Sequence, residues 1–276
     1  MGFGYITPAI TKWKLDEFME VIDDLEDELS EKVHHKMCVK NDYNTILLHI
    51  VGKSLVTVRE ILTLCAHGYS DGAMSLGRNL YEQMMIIDFF EEHKKDSDFQ
   101  EYVDDFFLSY AVQQNKYLRD INKLLSGSNI AELDKEKDEL EKKAHHKLKG
   151  DYWWSGFDNF SKIAHDAIGR KEDKNIHDFY VIHYLRYKKA CVSLHAGCMG
   201  NIIRIGSDSG FDIIDTSPKE YGQSTPLVYS VISLIYIIGN VCEAFNIDGT
   251  KHIKKLNEIA SWYQEKEKVD IKITSK

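Results

Sequence analysis

The segment Leu47–Phe90 reads LLHIVGKSLVTVREILTLCAHGYSDGAMSLGRNLYEQMMIIDFF. We expect two long apolar helices here, joined by the turn His67-Gly68-Tyr69-Ser70-Asp71-Gly72, with the rest of the chain packed around them. On a wheel of about 100° per residue, Leu76, Ile87, Leu80, Ala73 and Met84 of the second helix share one side. Tyr81, Met74 and Met85 widen that face to roughly half the circumference. Arg78 and Glu82 fall among Met85, Phe89 and Ile86, so no clean solvated face is left, and such a helix belongs in a core. One turn separates Arg78 from Glu82, and the two can pair. The pair can be read as a partly exposed ion pair, as a buried structural pair or as part of a functional pocket. Burial would oblige each charge to find further partners.

Outward from the hairpin, helical periodicity continues. Leu15, Phe18, Met19, Ile22, Leu25 and Leu29 mark an amphipathic surface helix within 14–36. Phe99 to about Leu125 is a further helix, closed by Ser126-Gly127-Ser128-Asn129. Residues 126–150 are expected to form an exposed helical arm, because IAELDKEKDELEKKAHHKL has few apolar positions. The aromatic segment Gly150-Asp151-Tyr152-Trp153-Trp154-Ser155-Gly156 suits a lid or a plug over a core. A short helix from Asn159 to Ile168 and a long one from about Asn175 to Ile205 follow. Residues 206–224 are expected as a loop. Pro226 then opens the apolar helix LVYSVISLIYIIGNVCEAF, and Thr250–Lys268 gives a last helix before a tail over 269–276. The fold class expected is all-α: a single domain over 1–276, a multi-helix bundle of about 7–9 helices built around a central apolar hairpin. The chain has only three prolines in 276 residues, which suits helices.

The formal charge is −9, so the composition does not advertise nucleic-acid binding. Five scattered cysteines with no Cys-x-x-Cys, and an N-terminus lacking a basic start and an apolar block, point to reduced thiols in a cytoplasm. The apolar run from Leu227 to Gly239 is shorter than the roughly 20 residues that span a bilayer, so a buried helix and no membrane partner are expected.

No phosphate-binding loop, dinucleotide fingerprint, His-Glu-x-x-His or Gly-x-Ser-x-Gly is present, and no cofactor is implied. His165-Asp166 is an isolated pair. His34-His35 and His145-His146 lie in charged stretches and are expected to be solvated. Cys191, His195 and Cys198 stand at i, i+4 and i+7, a spacing that could present three metal ligands, although apolar-stripe cysteines do the same. His195 follows Tyr184, Tyr187 and Cys191 on one stripe and must find hydrogen-bond partners if buried. Glu82 could supply one if the helices cross. We therefore take Arg78, Glu82 and His195 as candidate catalytic residues, and Arg78, Tyr81, Glu82, Tyr187 and His195 as candidate ligand-binding residues.

The segment GKSLVTVREILTLCAHGYSDGAMSLGRNLYEQ resembles a bacterial family known only as domain of unknown function 5677 (DUF5677). Gly68-Tyr69, Ala73, Leu76, Arg78 and Glu82 occupy its Gly-Tyr turn and Ala-x-x-Leu-x-Arg-x-x-x-Glu positions. Trp154, Ile163-Ala164, Gly169, Tyr180 and Ser193-Leu194-His195 resemble its second half, so the likeness spans about Gly52 to Ile205. Ser193 stands two residues before the histidine, where the family places a serine four before. The resemblance implies an all-helical domain of no established activity. Some related helical domains in bacterial defence and toxin systems are ribonucleases of the HEPN type, with Arg-x(4–6)-His on one helix. Here no histidine follows Arg78 at that spacing, and Arg186 to His195 is too long a gap. Two readings follow. One is a binding or regulatory module in bacterial defence or stress response. The other is a metal-independent, HEPN-related ribonuclease using His195 and Arg78. Paired apolar helices would suit a homodimer, and a small molecule or RNA stays open as a partner.

Overall fold

The computed structural model describes residues 14–33, 42–125, 130–194, 205–208, 211–214 and 223–274. Nine α-helices are found among them: α1 Leu15–Val33, α2 Tyr43–Ala66, α3 Ser70–His93, α4 Phe99–Leu124, α5 Ile130–Lys143, α6 Phe160–Gly169, α7 Lys174–Leu194, α8 Ser224–Phe245 and α9 Thr250–Thr274. A single 3-10 turn, Trp153–Ser155, lies between α5 and α6. The protein is all-α, with one small addition. Ile205–Asp208 (β1) pairs antiparallel with Phe211–Ile214 (β2); Ile205, expected to end the helix from Asn175, is a strand residue, and the rest of the pair falls in the stretch 206–224 expected as a loop. Only two residues separate the strands, which is hairpin spacing. At the C-terminus α9 continues to Thr274, because the run expected as a tail contains no proline or glycine to stop it.

The apolar hairpin is α2 and α3. The Tyr69 N–H bonds to the Leu64 carbonyl at 2.8 Å, which closes the turn between them. The fold divides into two compact units, and both draw on this hairpin.

The first unit comprises Met1–Cys38, Leu47–Ile87 and Asp173–Lys276. Its core joins Phe18, Ile22 and Leu25 of α1, Ile61 and Leu62 of α2, Leu80, Tyr81 and Met84 of α3, and Leu256 and Tyr263 of α9. Burying each such side chain contributes about 1.5–3 kcal/mol. α8 is buried along most of its length and packs against α9; Asn246, in the left-handed region at φ 52°, ends it. Arg59 on α2 holds Asp23 and Glu26 of α1 together at the surface. Asp173 caps α7, accepting the Asn175 and Ile176 N–H groups at 2.8 and 3.1 Å. α8 is longer than its uninterrupted apolar run: by length and composition it could cross a membrane, but 67% of its most apolar window is buried inside the protein.

The second unit comprises Val39–Ile46 and Asp88–Glu172. It is an aromatic core. Trp154 stacks on Phe90 at 5.3 Å and 10° and meets Phe89 and Phe106 edge-on. The double tryptophan is therefore a plug, with both rings buried. Gly150 shapes the turn before it: its φ is +80°, and a Cβ there would lie 1.8 Å from the Asp158 carbonyl oxygen. The expected arm is the short helix α5, and it docks on α4. Leu140 is buried, the Asn115 amide donates to the Leu133 carbonyl at 2.9 Å, and Arg119 pairs with Asp134 at 2.7 Å.

Candidate functional site

Within the first unit, α3 presents Arg78, Tyr81 and Glu82, and α7 presents Tyr184, Tyr187, Lys188 and Cys191. Both sets recur at three- and four-residue spacing, which puts each on one helix face. Arg78 Nε donates to Glu82 Oε1 at 2.9 Å, and the Tyr187 hydroxyl donates to the same oxygen at 3.1 Å. The Glu82 side chain is 15% exposed and that of Arg78 29%, so the carboxylate is sunk and the guanidinium lies at the rim. The pair is neither fully sealed nor on a solvated face.

The guanidinium is held over the Tyr187 ring, 5.6 Å from its centroid. Tyr184 stacks on Tyr187 at 5.9 Å and 20°, and the Lys188 ammonium lies 5.4 Å over Tyr184. Two cations thus sit over two stacked phenols, a setting in which the ring faces favour positive charge. Behind them Tyr187 packs on Tyr81 at 5.4 Å, Tyr81 stacks on Tyr229 at 5.6 Å, and Tyr229 stacks on His183 at 5.7 Å. Gly77 makes room for this column: a Cβ there would come within 3.1 Å of the Tyr229 ring.

The electrostatics fix protonation states. Burial alone would lower the Arg78 pKa, but Glu82 outweighs it and holds the guanidinium above its ordinary value. Burial, then the Glu82 charge, pushes the Tyr187 phenol well above its usual range. Burial and then Arg186 drive His183 down to about 3, so it is a neutral core histidine.

The structure brings together Arg78, Glu82 and Tyr187, with Tyr81 as the ring behind. His195 lies outside the described residues, and so do Cys198 and His34-His35. Among the described residues no group of three or more His, Cys, Asp or Glu side chains could hold a metal ion. Tyr184 and Lys188 were not anticipated as site residues. The signal was present in Tyr184-Leu185-Arg186-Tyr187-Lys188-Lys189, where aromatic and basic residues interleave at helical spacing.

The second unit holds a histidine–carboxylate group that local sequence did not disclose. His93, 5% exposed, sets Nδ1 2.7 Å from Asp96 and Nε2 3.2 Å from Asp166, which also accepts Arg170 Nε at 3.1 Å. His165-Asp166 is thus split: Asp166 turns to His93, and His165 is exposed. The expectation of solvated histidines is corrected at His146. Its Nδ1 lies 2.9 Å from the fully buried Asp105, and its ring stacks on Tyr102 at 4.9 Å. Asp105 also accepts the His145 and His146 N–H groups, so it ties down the segment after α5. Lys171 bridges the buried Asp88 and Glu92 at 2.8 and 2.5 Å. Burial lowers the Lys171 pKa, but Asp88 and Glu92 outweigh it and hold the ammonium above its ordinary value. Each of these carboxylates has a hydrogen-bond or ion-pair partner among the described residues, as in structural networks.

A helical protein with an arginine–carboxylate–tyrosine site at the junction of two long helices is the class that fold and site define. The chain belongs to DUF5677, a family of unknown function, whose family model matches residues 44–212. The match contains both helices of the site and extends beyond the resemblance read from the motifs at each end. No curated protein and no solved structure matches the chain.

Proposed function

We propose that the chain is a binding or regulatory module that takes a small anionic ligand, phosphate- or carboxylate-bearing, at the rim formed by Arg78, Tyr184 and Lys188. One observation carries this reading: Arg78 and Lys188 are held over the stacked Tyr187 and Tyr184 rings. Among the described residues the side-chain hydrogen bond of Arg78 is made through Nε. The two Nη groups of a guanidinium supply a fork of donors that fits an anion's paired oxygens. Glu82 is the positioning residue, fixing the guanidinium and the Tyr187 hydroxyl at one oxygen. Arg78 and Tyr187 are both held protonated at neutral pH, and His183 neutral. Groups locked in one state suit recognition better than proton transfer, which works best with a pKa near the operating pH.

The test is equilibrium titration of the purified full chain with inorganic pyrophosphate, alongside incubation with single-stranded RNA in the presence of a chelator. Saturable pyrophosphate binding that is lost in Arg78→Lys and in Lys188→Gln supports the module. RNA cleavage abolished by His195→Ala and Arg78→Ala would overturn it in favour of the ribonuclease.

A further inference from the structure

α7 has a second apolar face. Its inner face buries Tyr180, His183, Tyr187 and Ala190. Phe179, Ile182 and Leu185 lie on another side, within about 120° of one another on the wheel. These three are 39%, 52% and 61% exposed. Three large apolar side chains along one side of a helix, open to water, are unlike the isolated exposed leucines of an ordinary surface; Ile176, 48% exposed, is a fourth on α7 but falls on the inner side of the wheel.

Charged residues border the stripe in a pattern that is complementary to its own reverse. Ile182 is the centre. Phe179 lies three residues before it and Leu185 three after; Asp178 lies four before it and Arg186 four after. Asp178 is well exposed, its side chain at 58%, and Arg186 is half-buried at the edge of the stripe. In an isologous contact, residue i meets residue j and j meets i. An antiparallel pair of α7 helices crossing at Ile182 therefore sets Phe179 against Leu185 twice and Asp178 against Arg186 twice. A parallel pair would oppose like charges at both positions. From the geometry we infer that the outer face of α7 docks a second copy of this chain antiparallel, with Ile182 at the two-fold axis. The ring and cation face of α7, with Tyr184 and Lys188, points elsewhere on the wheel, so the contact leaves the anion rim open. The inference stands whether or not that rim binds an anion.

Asp178 to Arg186 spans about 12 Å of helix at 1.5 Å per residue. One helix pair of that length buries less than the roughly 1,200–2,000 Å² of stable interfaces, so a weak, concentration-dependent dimer is expected. The test is sedimentation of the full chain across a dilution series, with circular dichroism to confirm folding of each variant. Wild type should move between 31.9 kDa and twice that mass with rising concentration. Ile182→Asp sets two carboxylates together at the axis and should leave a monomer. Asp178→Arg alone and Arg186→Asp alone each oppose like charges and should weaken association about tenfold or more. The doubly swapped chain restores both pairs and should associate nearly as wild type does. Residues 178 and 186 are too far apart on one helix to touch, so that rescue reports contact between copies. A wild type monomeric at every concentration, a dimer untouched by Ile182→Asp, or a double swap no better than the single ones would each overturn the inference.

Discussion

A single carboxylate oxygen organises the site. Glu82 Oε1 takes both the Arg78 Nε–H and the Tyr187 hydroxyl. Glu82→Gln keeps an oxygen of the same shape but removes the charge, and charge-assisted bonds are about twice as strong as neutral ones. We expect a loss of about 1–2 kcal/mol, read as a lower midpoint in chemical denaturation. Tyr187→Phe should cost about 1 kcal/mol and leave the ring stack in place. A double-mutant cycle on the two should show coupling, since they share one bond. His183 gives a pH signature. Its ordinary value is 6.5 and the folded chain holds it near 3. Below about 6.5 the unfolded chain takes up a proton that the folded chain refuses, so stability falls as pH drops from there toward 3. The slope from this group is at most about 1.4 kcal/mol per pH unit. Denaturation midpoints should fall on acidification, and less steeply in His183→Phe; identical slopes would refute that assignment. At this scale the Arg78–Glu82 pair was legible, because charges on a helix that is apolar nearly all round must find partners; the partner expected for them, His195, lies outside the described residues, and Tyr187, named only as a ligand-binding candidate, is the one the structure shows. Tyr184 and Lys188 were missed although aromatic and basic residues interleave there at helical spacing, because a solvated helix face shows the same pattern. His93 with Asp166 was missed because its partners are 73 residues apart.

At the scale of elements the helices follow from apolar periodicity, and the hairpin, the amphipathic α1 and the buried α8 appear where that periodicity places them. The differences arise where periodicity says nothing. β1 and β2 are four residues each, too short to show an alternation against a background of glycine and serine. The arm was read as exposed because it has few apolar positions, and α5 is mostly exposed; what composition does not show is that Asn115 and Arg119 of α4 hold it through its backbone and charges. The aromatic plug carries the second unit. Trp154→Ala removes a ring touching Phe89, Phe90 and Phe106 and should cost about 3–5 kcal/mol. Gly150→Ala forces a side chain against the Asp158 carbonyl at a positive φ and should cost more than about 1 kcal/mol. Both are read from thermal melts, and a variant melting with wild type would contradict the packing described.

For the whole molecule, the burial of α8 leads us to expect recovery of the protein from the aqueous fraction without detergent; recovery only from washed membranes would contradict this. Membership of DUF5677 covers both helices of the site and supplies no activity, so the functional claim rests on the geometry of Arg78, Tyr184, Tyr187 and Lys188. The most direct measurement is the melting temperature of wild type, Arg78→Lys and Lys188→Gln, each with and without inorganic pyrophosphate. A ligand bound only by the folded state stabilises it by RT ln(1 + L/Kd), where L is the ligand concentration, so the melting temperature keeps rising with the logarithm of that concentration above Kd. Wild type should show a rise that grows with pyrophosphate concentration, and both variants should lose it. Lys188→Gln without ligand should stay within about 0.5 kcal/mol of wild type, since Lys188 is an exposed side chain. No rise in wild type, or the same rise in all three proteins, would contradict an anion site at this rim.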